Sequence, residues 1–322
     1  MRKKQTYISY LLLLLCCWQG IGKAQTVREL NSVRDIAFAG GLLDWQNKPV
    51  DSLRCDIYYP PGATSDKKYP LILSCHAGSF IGGSKAGQVS GADALSDMGF
   101  IVVAPDYRIG YDEDIHSPCS DDTTGQNMAV YRAQQDGSAC MRFLYHYADS
   151  FHIDTNNLFL MGNSAGADLA LHMHYVTDSV AKVNYSYAYK KLGGVQSSGN
   201  SFPFLYKIKG ICAMWGGLPN WGLITPATAV PMIMFKGGLD PGLPEGSGHY
   251  KKCPNYVELI AGIGIYKVMT SINKPCVYHY QPNGFHAAYD EEFCDKATNS
   301  FFRATMKNQA YTGYYLYYQQ SW

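Results

Sequence analysis

A doubly wound α/β domain, with a mostly parallel central sheet flanked by helices, is the architecture this chain predicts. Six short, nearly continuous apolar runs are spread along it: Tyr69–Cys75, Phe100–Pro105, Leu158–Met161, Ile211–Met214, Pro231–Phe235 and Cys276–Tyr280. Runs without polar alternation suit strands buried on both faces, which is how parallel strands sit. Stretches with helical spacing separate them, and strand–helix alternation builds parallel sheets through right-handed crossovers. The 322 residues, 47% of them hydrophobic, suffice for one large core, and no internal repeat divides them.

The chain opens with Met1-Arg2-Lys3-Lys4, an apolar run from Leu11 to Trp18, and Gly22-Lys23-Ala24. A positive start, a short apolar stretch and small residues two apart form an export signal cleaved after Ala24. The apolar run is shorter than the roughly 20 residues of a membrane span, so no stable membrane anchor is expected. A lipoprotein signal at Cys16 or Cys17 lacks the small residue before the cysteine. Residues 1–24 are therefore read as a signal peptide, residues 25–322 as one catalytic domain, and the protein as secreted or periplasmic.

Leu53–Tyr59 alternates like a half-exposed strand and stops at Pro60-Pro61-Gly62. Helical spacing predicts helices over Met128–Ala148, Ala165–Tyr175, Tyr256–Ile272 and Asp295–Lys307. Val183–Phe204 follows neither period and is read as a small loop-rich insertion after the helix that begins at Ala165. The tyrosine-rich tail, Tyr311–Tyr318, reads as a packed edge strand. Net charge is +1 with 16% charged residues, so no electrostatic footprint for nucleic acid is present. Eight cysteines remain after the signal, which permits disulfides without choosing their pairing. Cys75, Cys212 and Cys276 sit in apolar runs and suit a reduced core. No C-x-x-C spacing suggests zinc, and the acidic loop with Asp112, Glu113, Asp114, Asp121 and Asp122 has irregular spacing for calcium. No metal and no cofactor is expected.

One short segment carries chemistry. Leu160-Met161-Gly162-Asn163-Ser164-Ala165-Gly166 places a serine between glycines where a strand ends and a helix begins. By itself Gly-x-Ser-x-Gly is weak, but at a strand-to-helix elbow it lifts a hydroxyl above the sheet edge. A serine needs a base, and the base an orienting acid. On this architecture both follow the serine, acid first, each just beyond a strand. His286, in Pro282-Asn283-Gly284-Phe285-His286, lies beyond the run ending at Tyr280. His279 is inside that run and reads as packed, His172 and His174 fall on a helix face, and His249 in a Gly-rich loop is the competitor. Asp240 follows the run ending at Phe235; its plain alternative is a turn or capping residue, and Glu245 is the backup acid. Oxyanion donors are expected from the Ala165 N–H and from Gly78 and Ser79, in the loop His76–Ser84. Ala77 lies behind them, and His76 would brace that loop.

Taken together, His76-Ala77-Gly78-Ser79-Phe80, Asp106-Tyr107-Arg108, Tyr131–Asp136, Gly162–Gly166, Gly238–Pro241 and Gly284-Phe285-His286 resemble the serine esterases of the α/β-hydrolase fold. The resemblance is to their hormone-sensitive-lipase-like and carboxylesterase groups, and it spans roughly Leu53 to His286. Ala77 and Ser79 stand where the fuller His-Gly-Gly-Gly pattern has glycines, and the long N-terminal cap helices of many such lipases have no counterpart. The resemblance and the residues together imply ester hydrolysis through an acyl-enzyme on Ser164, with His286 as base and Asp240 as its acid. Activity is expected to fall as the imidazole protonates. The substrate is expected to be a small-molecule or polymeric ester, with feruloyl, acetyl-carbohydrate and polyester substrates all compatible. Two rivals remain open at this point: a serine peptidase of the same fold, and a binding protein on an inactive hydrolase scaffold.

Overall fold

The computed structural model describes residues 27–112, 119 and 123–318. The expected signal, residues 1–24, and most of the acidic loop (113–118 and 120–122) lie outside the described residues. Nine strands form the central sheet: β1 (Val33–Ala39), β2 (Leu53–Tyr58), β3 (Tyr69–Cys75), β4 (Ile101–Pro105), β5 (Ile153–Asn163), β6 (Gly210–Met214), β7 (Met232–Gly237), β8 (Cys276–Gln281) and β9 (Gly313–Leu316). Across the sheet they run β1-β2-β4-β3-β5-β6-β7-β8-β9. β2 is antiparallel to both neighbours, and every pairing from β4 to β9 is parallel.

The helices are α1 (Val89–Asp97), α2 (Thr123–His146), α3 (Ala165–Tyr175), α4 (Asp178–Asn184), α5 (Ser186–Leu192), α6 (Ile263–Ser271) and α7 (Glu291–Met306). Successive strand residues face opposite sides, and here both sides are covered. Leu71, Leu73, Leu158, Leu160 and Ile211 pack under α2, α3 and α6. Ile72, Val102, Phe159, Cys212 and Ile233 pack under α1 and α7, where Phe159 stacks on Phe302 at 4.2 Å. Each fully buried side chain of this size contributes about 1.5–3 kcal/mol. Two-sided burial is the physical reason that the runs carry no polar alternation.

The structure departs from the sequence pattern in several places. β2 is not half-exposed: of its side chains only Arg54 is exposed, because α1 covers one face and the carboxylate of Asp56 is paired with Lys85 at 2.8 Å and Arg34 at 3.3 Å. The insertion is not loop-rich throughout, since α4 and α5 occupy much of it. Ala181, Tyr185, Ala188 and Val195 form a small core there with Met128 and Tyr131 of α2. Two helices of seven residues, broken at Tyr185, are too short to show a clear period. The helix expected over Tyr256–Ile272 is a strand, Glu258–Ala261, followed by α6. Gly262, at φ 45°, makes the break, and the strand joins a small antiparallel sheet with Gly246–His249 and Gly217–Pro219. The final helix starts earlier than its apolar period, at Glu291, where the Asp290 carboxylate caps the Phe293 N–H at 2.7 Å.

β9 lies at the sheet edge beside β8. One disulfide, Cys119–Cys253, is present among the described residues, while Cys55, Cys75, Cys140, Cys212, Cys276 and Cys294 are buried and free. No described helix is long and apolar enough to cross a membrane.

Candidate active site

β5 ends at Asn163 and α3 begins at Ala165, so Ser164 alone makes the turn, at φ 54° and ψ −124°. For a residue with a side chain such backbone costs on the order of 1–3 kcal/mol. The two glycines answer to close approach rather than to positive φ. A Cβ on Gly166 would lie 2.0 Å from the Cys75 carbonyl oxygen, and one on Gly162 would lie 2.2 Å from the Gly166 carbonyl. Ser164 N–H donates to Met214 O at 2.9 Å, which ties the elbow to β6. Gln88 accepts from Ser74 Oγ at 2.7 Å and donates to Asn163 Oδ1 at 3.3 Å, holding the residue before the serine.

Asp240 and His286 come from the loops after the adjacent parallel strands β7 and β8. Gly238 N–H donates to Gln281 O at 2.9 Å and Leu239 N–H to Gly284 O at 2.8 Å, so the two loops are joined backbone to backbone. Gly237 allows this, since a Cβ there would sit 2.1 Å from Phe285 O. The three side chains form a line. Ser164 Oγ donates to His286 Nε2 at 2.9 Å, and His286 Nδ1 donates to Asp240 Oδ2 at 2.9 Å. With its Nδ1 proton on the carboxylate, a neutral imidazole presents an acceptor at Nε2.

The Asp240 carboxylate is buried and fully engaged. Its Oδ1 accepts from the N–H groups of Gly242 at 2.9 Å and Leu243 at 3.1 Å. Its Oδ2 also lies 3.0 Å from Lys236 Nζ. Burial alone would raise its pKa, but the His286 hydrogen bond and the Lys236 charge outweigh that and hold it well below the usual carboxylate range. Glu245, the backup acid, is engaged elsewhere: it accepts from Tyr278 OH at 2.9 Å and from Ile263 N–H at 3.1 Å. His249 donates from Nδ1 to Tyr256 O at 2.8 Å. His279 is stacked on Phe235 inside β8, where burial depresses its pKa to about 4. His174 bonds Thr228 O, and His172 donates to Asp168 O at 2.7 Å while accepting from the Tyr185 hydroxyl at 3.0 Å.

The loop after β3 turns at three successive residues of positive φ: Gly78 at 128°, Ser79 at 53° and Phe80 at 62°. Among the described residues neither the Gly78 nor the Ser79 amide finds an acceptor. Ala165 supplies the first amide of α3, which has no partner within the helix. His76 stacks on Tyr107 at 3.9 Å, and Tyr107 OH donates to His76 O at 2.6 Å. The Gly110 N–H donates to Phe80 O at 2.6 Å. Arg108 pins this bracing loop to α2 through a buried two-pronged pair with Asp136. The segments Asp106–Arg108 and Tyr131–Asp136 thus hold the loop that carries Gly78 and Ser79.

A cleft of about 270 Å³ opens over Ser164, Ala165, Ser79 and His286. Val130, Pro219, Leu243, Val257 and Leu259 give it apolar walls, with Tyr250 and Tyr256 on one side and Asp168 and Tyr185 on another. Burial pushes the Asp168 carboxyl up to about 8, against the lowering effect of the Gly217 N–H that it accepts at 2.6 Å. Asp168 and Lys236 were not among the residues singled out from the sequence. The signal that could have found them is the same for both, a charge set within an apolar strand or helix. Among the described residues no group of His, Cys, Asp or Glu is arranged to hold a metal ion.

Comparison with known proteins bears on this geometry. The BD-FAE family model matches residues 55–197, a stretch that holds Ser164 and the Gly78 loop but not Asp240 or His286. No curated protein matches the sequence. Among solved structures, a truncated carbohydrate esterase from gut microbiota superposes with TM-score 0.58 at 15% identity, covering 87% of this chain and 97% of that one. Thermogutta terrifontis esterase 2 with bound butyrate gives TM-score 0.54 at 15% identity, covering 81% and 91%. A bifunctional GH43-CE protein from Bacteroides eggerthii gives TM-score 0.57 at 15% identity over 85% of this chain and 35% of that one. At such identity these likenesses speak to fold. The likenesses show the α/β-hydrolase fold, and with the BD-FAE match over the serine and Gly78-loop segments they support a carboxylic ester hydrolase.

Proposed function

We propose that the protein is an exported esterase that cleaves acyl or aryl esters through an acyl-enzyme on Ser164, with carbohydrate-linked acetyl or feruloyl esters foremost and polyesters within reach. The observation that carries this reading is the line from Ser164 Oγ through both nitrogens of His286 to Asp240, closed at 2.9 Å on each side. His286 Nε2 takes the serine proton as Oγ attacks the ester carbonyl, and Asp240 stabilises the imidazolium that forms. The amides of Gly78, Ser79 and Ala165 receive the oxyanion; a single such donor is worth about 100- to 1,000-fold in rate. His286 then protonates the leaving alcohol. In the second half it activates the water that releases the acid.

Further observations favour a sugar-linked ester outside the cell. Solved relatives in fold include proteins described as carbohydrate esterases, and the rings of Tyr185, Tyr250 and Tyr256 line the cleft, giving it aromatic walls suited to a sugar or aryl group. The basic, apolar N-terminal segment and the Cys119–Cys253 disulfide suit an oxidising compartment.

Purified protein should hydrolyse p-nitrophenyl acyl esters, and Ser164→Ala should lose about 10,000-fold or more of kcat/KM. Full activity in that variant would end the reading. A panel of acetylated xylan, a feruloylated sugar and a polyester film, run beside aminoacyl amides, then ranks substrates. Faster turnover of the amides would favour a peptidase instead.

A further inference from the structure

A lysine sits where an esterase of this geometry does not need one. Lys236 closes the apolar run of β7, is 1% exposed, and directs Nζ to Gly237 O at 3.0 Å and to Asp240 Oδ2 at 3.0 Å. That oxygen is the one that receives His286 Nδ1 at 2.9 Å. Two nitrogens bound to one oxygen at these lengths lie within about 6 Å of each other, close enough for strong repulsion between their charges in a buried site. A buried ammonium is costly unless paired, and it satisfies itself here on the carboxylate that orients the catalytic base.

We propose that Lys236 is a positioning residue of the triad, sharing Asp240 with His286 and holding the imidazole in its neutral, proton-accepting form in more acidic solution than Asp240 alone would allow. The inference rests on the triad reading given above and adds its regulation by pH. The physical logic is a competition for one negative charge. Without Lys236, Asp240 would serve the imidazolium alone and favour protonation of His286. With Lys236 present, part of that charge is already answered and a second cation meets like charge. The other groups facing this centre do not supply the effect. Asp168, across the cleft on α3, would favour the imidazolium when ionised, and Glu245 is held by Tyr278 and Ile263 while it faces Lys236. The Gly242 and Leu243 amides fix the far oxygen of Asp240, and the ring of Trp215 stands edge-on to His286 at 6.3 Å.

The test is the pH profile of kcat/KM for p-nitrophenyl acetate, from pH 4.5 to 9, in wild type, Lys236→Met, Lys236→Gln and Lys236→Arg. Both neutral variants should move the acid limb upward by about one pH unit, so that on that limb each keeps about a tenth of the plateau fraction that wild type keeps. Lys236→Arg, which retains the charge, should return the limb toward its wild-type position. Fluorophosphonate labelling of Ser164 and a thermal melt accompany each variant. An unmoved limb in a folded, labelled neutral variant overturns the proposal, as does failure of both neutral variants to fold, which would make Lys236 purely structural. Activity surviving in Ser164→Ala would instead sink the triad reading itself, so the two failures are told apart.

Discussion

Ser164 holds a backbone conformation that glycine tolerates and serine does not, and that strain is part of how its hydroxyl reaches the cleft. Ser164→Gly should therefore be more stable than Ser164→Ala by about 1 kcal/mol or more, because only the glycine relieves the turn. Denaturant melts of the two variants measure it, and equal midpoints would show that the elbow is unstrained. Asp168 makes the second case at this scale. Its folded carboxyl keeps its proton up to about pH 8, against an ordinary value of 3.8, so the native state binds more protons than the unfolded chain between those limits. Stability then falls as pH rises through that window. Asp168→Asn keeps an oxygen for the Gly217 N–H and removes the titration. Its Tm should drop less than the wild type's between pH 5 and pH 8.5, by about 2–4 °C. Neither property could be read from the residue names, since strain and burial belong to surroundings that lie far away in the chain.

The elements were legible where one physical pattern ran long enough. The six apolar runs became strands because two-sided burial leaves no room for polar residues, and the helix after Ser164 began at Ala165, as its spacing predicts. Patterns failed where elements were short. Tyr256–Ile272 reads as helical by its spacing, yet Glu258–Ala261 is drawn out by pairing with Gly217–Pro219, a partner that sequence periodicity cannot see. α4 and α5 stayed hidden because each covers about two turns. The elbow offers the sharpest test of element geometry. Gly166→Ala would drive a methyl onto the Cys75 carbonyl, where backbone and not a flexible side chain must give way. It should cost about 2 kcal/mol or more and abolish fluorophosphonate labelling of Ser164. Normal labelling at an unchanged Tm would show that strand and helix can separate there.

Across the whole molecule, the cleft depends on a segment that is remote from the elbow in the chain. Residues 241–259 carry Tyr250, Tyr256 and Val257 into the cleft wall, and Cys253 ties that wall to Cys119 across a separation of 134 residues. Closing so long a loop is worth about 3–5 kcal/mol in the chain-entropy account. Reduction with dithiothreitol, or Cys253→Ser, should lower Tm and raise KM more than it lowers kcat, because the wall shapes binding while the loops that carry Asp240 and His286 are tied to each other. A reduced protein with unchanged Tm and KM would show that the wall stands without its staple.

Local chemistry, written in order along the chain, was enough to predict the layered α/β architecture and to point to Ser164, Asp240 and His286, which the structure brings into hydrogen-bonding distance, since each follows from a short motif or from apolar spacing. Which cysteines join, where the cleft wall comes from, how Arg108 braces the Gly78 loop and why a lysine shares the Asp240 carboxylate all depend on groups brought together from distant segments. Contacts of that kind carry no mark in any short window, because the energy that selects them comes from burial and close approach after the sheet has formed.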